Sequence, residues 1–115
     1  MNTRITGLIS VVSCLMTFSM SATAAPPDAN AALDLVRQSN CFRCHGIEKG
    51  KEGPSWKAVA AKYKGTTDAE AKLYKHLTTG PKVKLKDGHE EEHSKPQTAD
   101  AGEIKNLVSW ILSLN

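Results

Sequence analysis

The sequence predicts an all-α fold of three to four helices, with a short β-hairpin insert before the last helix. Three observations point there. In "TADAGEIKNLVSWILSLN", Ile104, Leu107, Val108, Ile111 and Leu112 recur at i, i+3, i+4, i+7 and i+8, with Trp110 and Leu114 flanking them. That is the apolar stripe of an amphipathic helix. "ANAALDLVRQSN" repeats the period with Ala32, Leu35 and Val36, and Leu33 lies alongside. Alternation at period two, the mark of a strand, is visible in "KVKLK", followed by an Asp87-Gly88 turn signal.

In chain order, "APPDAN" reads as a linker into a first helix that runs roughly from Ala29 to Ser39 and stops at Asn40. "HGIEKGKEGPSW" is loop, punctuated by Gly46, Gly50, Gly53 and Pro54. "PSWKAVAAKYKG" is a second helical segment ending at Gly65. The third, "DAEAKLYKHLTTG", starts at Asp68 as N-cap and ends at Gly80. Asp100 caps the last helix, and Glu103 three residues later completes a capping box.

The first two dozen residues fall outside this domain. "MNTRITGLISVVSCLMTFSMSATAA" has Arg4, an apolar stretch from Ile5 to Met20 and then Ala22-Thr23-Ala24, an A-x-A pattern. This is the shape of a secretory signal peptide, expected over residues 1–24 with the domain at 25–115. The apolar run is short for an uncut anchor. A lipoprotein site at Cys14 conflicts with the apolar run continuing through Leu15, Met16 and Phe18. Export into a bacterial periplasm is the expectation, with no stable membrane span after cleavage.

Cutting there leaves about 90 residues, a chain small enough to need a staple beyond its own core. It also removes Arg4 and no acid, so the formal charge of +3 drops by one. So weak a balance, with lysines interspersed among acids, argues against a nucleic-acid partner.

Only two cysteines then remain, in Cys41-Phe42-Arg43-Cys44-His45. A structural zinc site needs four protein ligands, usually two such pairs, and no second CxxC exists. A thioredoxin-like dithiol belongs to a βαβ setting, whereas this motif lies between helical segments. A disulfide here would close too small a loop to stabilise much. Covalent haem c attachment accounts for all three residues: each thiol adds to one vinyl group, and His45 becomes the proximal iron ligand. The buried macrocycle also supplies the apolar mass that the short chain lacks.

With its flanks, the motif resembles the small class I cytochromes c of bacterial periplasms. "ALDLVRQSNCFRCHGIEKGKEGPSWKAVAAKYKG" is similar to the family's opening helix, haem motif and Gly-Pro loop, and "AGEIKNLVSWILSL" to its closing helix. The resemblance implies a cytochrome c fold around one haem. The first and last helices should cross, with Ala32 at the contact and Leu35 facing Trp110. It implies that the Pro54 carbonyl accepts a hydrogen bond from the far nitrogen of His45, and that Trp56 lies against the haem edge near a propionate.

The family's usual sixth ligand is a methionine in the loop before the last helix. The methionines of this chain are Met1, Met16 and Met20, all in the leader. In place of the methionine loop stands "GPKVKLKDGHEEEHSKPQ", which carries His89 and His93. His93 occupies roughly the family's methionine place and is favoured as the distal ligand. His89, His76, another group or an open site are the alternatives. His76 is expected to be solvent-exposed on its helix, and Glu90 to Glu92 to balance nearby lysines at the surface.

Hairpin geometry bears on the same point. A two-residue Asp87-Gly88 loop would put both histidines among the lysines. A three-residue Lys86 to Gly88 loop, with Gly88 left-handed in a G1 bulge, would put Val83, Leu85, His89 and His93 on one face. The second suits a face turned to haem.

Two functions from different classes follow. With His45 and a distal histidine saturating the iron, the protein is a non-enzymatic periplasmic electron carrier. Its potential lies below that of methionine-ligated relatives, and its partners are periplasmic redox proteins or a dehydrogenase. With the distal site labile or open, it is instead a haem c module that binds a gas or an anion.

Overall fold

The computed structural model describes residues 24–114. The expected leader and its cut fall outside the described residues, Ala24 apart. The chain forms α1 (Ala29–Gln38), a 3₁₀ turn (Cys41–Arg43), α2 (Trp56–Tyr63), α3 (Ala69–Thr79), β1 (Lys82–Lys84), β2 (Glu90–Glu92) and α4 (Ala101–Leu112). Among the described residues no helix is long and apolar enough to cross a membrane.

The two stripes read from the sequence meet. Ala32, Leu35 and Val36 of α1 share one buried cluster with Ile104, Leu107, Val108 and Ile111 of α4. Ala32 is only 1% exposed, and its small side chain lets the two helices close on each other. A reciprocal pair fastens the same contact at its end. Asp28 N–H donates to Asn106 Oδ1 and Asn106 Nδ2 donates to Asp28 O, both at 2.8 Å. Trp56, Leu73, Leu77 and Trp110 complete the core, with the two indoles edge to face at 5.5 Å.

Capping follows the sequence at three helices and departs from it at one. Asp28, Ser55 and Asp100 each accept a hydrogen bond from the N–H three residues on, at α1, α2 and α4. Asp68 stands at the N-cap of α3 but makes no such bond: its backbone, at φ −110° and ψ 20°, leaves the extended region the other three caps occupy, and its carboxylate pairs with Lys72 at 3.1 Å. The capping box at α4 is also half formed: Asp100 N–H donates to Thr98 Oγ1, taking the donor that Glu103 would have bonded.

The hairpin has the three-residue loop. Lys82, Val83 and Lys84 pair antiparallel with Glu92, Glu91 and Glu90. Leu85 N–H donates to His89 O at 2.9 Å, and Gly88 sits at φ 93°. The ladder also runs one step past the strands, with His93 N–H donating to Pro81 O at 2.9 Å.

Candidate functional site

Ser39 caps the C-terminus of α1, and Asn40 turns the backbone into the left-handed region at φ 56°. The following residues wind as a 3₁₀ turn, with Cys44 N–H donating to Cys41 O at 3.2 Å and His45 N–H to the same oxygen at 3.0 Å. Three residues per turn brings positions i and i+3 to the same side, so one short turn presents Cys41 and Cys44 together. The two thiols are not joined in a disulfide. Burial pushes the Cys41 thiol above its ordinary pKa, the opposite of a dithiol tuned for exchange. Among the described residues, no three His, Cys, Asp or Glu side chains gather to hold a bare metal ion.

His45 is held by Pro54, Trp56 and Gly53. Its Nδ1 donates to the Pro54 carbonyl at 2.7 Å, the bond the resemblance implies, which leaves the Nε2 lone pair free. The buried Trp56 ring stacks on it at 5.6 Å and 19°. Gly53 presses against it so closely that an added Cβ would stand 2.7 Å from His45 Cε1. The loop that supplies these contacts is laced to the motif by Gly53 N–H to Cys44 O at 2.8 Å and Trp56 N–H to Gly46 O at 2.9 Å.

These residues line a cavity of about 340 Å³ with predominantly apolar walls. Leu73 and Leu77 of α3, Leu107 and Ile111 of α4, and Val83 and Leu85 of the hairpin contribute. His93 enters from the end of β2. Gly80, left-handed at φ 59°, brings the backbone so near that a Cβ there would lie 2.8 Å from His93 O. The His93 ring faces that of His45 at 5.9 Å between centroids and 52° between planes. Its Nδ1 is enclosed without a hydrogen-bond partner. Burial, and then His76 and His45, push its pKa down to about 4, so the imidazole is neutral at physiological pH and can donate a lone pair.

The other histidines divide. His89 shares the inward face by alternation but lies beyond the cavity. Its Nδ1 bonds Asp87, and its side chain is 55% exposed. His76 departs from its expectation: it is half-buried on the cavity wall, 4.4 Å from the His93 ring. Burial lowers its pKa too, with His45 and Lys62 adding to the shift. Helical period alone places His76 between Leu73 and Leu77, near enough to their stripe to have signalled this.

Glu91 is a second departure. Opposite Val83, it lies on the cavity side and pairs with Arg43 inside the cysteine motif, while Glu90 and Glu92 point outward. The motif is thereby clasped to the hairpin, helped by Lys86 N–H donating to Glu52 at 3.2 Å. The alternation from His89 to His93 was the available signal, since it sets Glu91 on their face.

Haem fits these residues by a geometric test. With metal–nitrogen bonds of about 2 Å and ring centroids about 1 Å further, two imidazoles on opposite sides of one metal stand about 6 Å apart. The His45–His93 separation of 5.9 Å meets this, and both thiols border the same apolar cavity.

Comparison with known proteins agrees. The profile of the family described as cytochrome c matches residues 30–115. The chain is 36% identical over 98 residues to cytochrome c-551 of Allochromatium vinosum, covering 84% of this chain and 99% of that one. It is 34% identical over 111 residues to cytochrome c-552 of Nitrosomonas europaea, covering 87% and 94%. Among solved structures, the class 1 cytochrome MtoD from Sideroxydans lithotrophicus ES-1 superposes with a TM-score of 0.73 at 57% identity, covering 76% of this chain and 97% of that one.

Proposed function

The chain belongs to the cytochrome c family, as an electron-transfer protein carrying one haem c bound through Cys41 and Cys44, and on that premise we propose that it is a periplasmic one-electron carrier whose iron is held by His45 and His93. The observation that carries this reading is the pair of imidazoles facing each other across the cavity at 5.9 Å, in a chain with no methionine after Met20.

Bound haem supplies the ferric/ferrous couple. The protein residues supply the rest. Cys41 and Cys44 tether the macrocycle. The Pro54 carbonyl fixes the tautomer and plane of His45 and raises its basicity. His93, kept neutral by burial, offers the second nitrogen. With His45 and His93 both holding the iron, no position would remain for substrate and little geometry would change with oxidation state. Imidazole in place of a thioether favours the ferric state, so the potential lies below that of methionine-ligated relatives. Leu107, Ile111 and Trp56 keep water from the buried side. Exposed Lys62 and Lys84 at the cavity margin favour acidic redox partners, through contacts that salt weakens. Export with cleavage after Ala24 places the carrier in the periplasm.

The test is spectroscopic. The haem-loaded protein should be low-spin in both oxidation states, indifferent to carbon monoxide and cyanide, and without a sulfur-to-iron charge-transfer band. His93→Ala should become high-spin and accept cyanide, whereas His89→Ala should match the parent. A high-spin parent, or a sulfur band, refutes the assignment.

A further inference from the structure

The two facing imidazoles are held very differently. His45 has its second nitrogen on the Pro54 carbonyl, an indole stacked on its face and a glycine at its edge. His93 has neither the indole nor the glycine, its Nδ1 is enclosed without a hydrogen bond of ordinary geometry, and a slight backbone contact with Ser94 reaches its ring. A metal-ligating histidine normally has its other nitrogen oriented by a carbonyl, a carboxylate or water. Where that bond is weak, the ring can turn about its metal bond, and packing must do most to fix it.

The packing comes from His76. Its ring meets that of His93 edge to face, 4.4 Å apart at 64°, an arrangement the ring quadrupoles favour. The residue doing the holding is itself well anchored. His76 lies on α3 between Leu73 and Leu77, which are 6% and 8% exposed and sunk in the core. His93, by contrast, follows a three-residue strand and is tied by its backbone to Pro81.

We propose that His76 is a positioning residue: its edge-to-face contact sets the rotation of His93, and so the angle between the planes of the two axial imidazoles, 52° in the structure. The inference rests on His93 being the distal ligand. The angle between two axial imidazoles governs how the iron d orbitals split, and therefore the anisotropy of the ferric low-spin resonance. Removing His76 leaves His93 bound and changes that anisotropy.

Electron paramagnetic resonance of ferric haem-loaded protein tests this with four variants, each checked for its fold by far-ultraviolet circular dichroism. His76→Ala should remain low-spin, with its principal g values shifted or broadened. His76→Phe, which keeps an aromatic edge without ring nitrogens, should restore the parental g values. An unchanged His76→Ala spectrum overturns the proposal while leaving the His93 assignment intact. So does a His76→Phe spectrum that stays with the alanine variant, because the nitrogen and not the packing then matters. A His93→Ala protein that stays low-spin until His76 is also replaced overturns it differently, by making His76 a ligand. If His93→Ala retains the parental spectrum even in the His76→Ala background, the ligand assignment itself has failed.

Discussion

Replacing Gly53 by alanine is the sharpest test of how His45 is held. The added Cβ would stand 2.7 Å from His45 Cε1, 3.1 Å from Nδ1 and 3.2 Å from Nε2. Carbon atoms in contact prefer at least about 3.5 Å, so the overlap is close to ~1 Å. Neither side can yield cheaply. The Gly53 backbone is pinned, with its N–H on Cys44 O at 2.8 Å and its carbonyl accepting from Lys51 N–H at 2.9 Å. The imidazole is pinned by Pro54 O at 2.7 Å and by Trp56 behind it. Relief therefore means overpacking, about 1–3 kcal/mol, with loss of the Pro54 bond adding about 0.5–1.5 kcal/mol. The total of roughly 2–4 kcal/mol should lower the melting temperature of the haem-loaded protein by about 10 °C or more. Thermal unfolding followed by circular dichroism and by haem absorption reads it directly. Gly65→Ala is the comparison: with φ 76° but open space around it, it bears only backbone strain of about 1–2 kcal/mol. A Gly53→Ala protein as stable as the parent would refute the picture of an immobilised proximal ring.

Three other outcomes follow from the geometry. Asp100→Ala removes the side-chain N-cap of α4 and should cost about 1 kcal/mol in denaturant unfolding. Leu107→Ala, at a site 1% exposed between α1 and α4, should cost about 2–5 kcal/mol by the same assay. Glu91→Gln breaks the clasp to Arg43, so the hairpin amides of Leu85 and His93 should exchange with deuterium faster while core amides of α1 and α4 do not.

Much of the fold was legible because its signals are local. The α1 and α4 stripes, the glycine stops and the three-residue hairpin loop each depend on residues within one turn or one rung. Three local readings held only in part. Asp68 stands at its cap position but pairs with Lys72, Thr98 took the donor meant for Glu103, and Glu91, set inward by alternation, found Arg43, a partner distant in sequence.

By itself the sequence determined the attachment chemistry, since thiol spacing and the adjacent imidazole are properties of five consecutive residues. It also removed methionine as an iron ligand from any chain cut after Ala24. Only the tertiary structure decided which histidines share the cavity. It brought His76 against His93 and left His89 outside with Asp87. The reason is physical: periodicity states which face a side chain occupies, whereas what stands opposite depends on how α3, the hairpin and the cysteine motif pack.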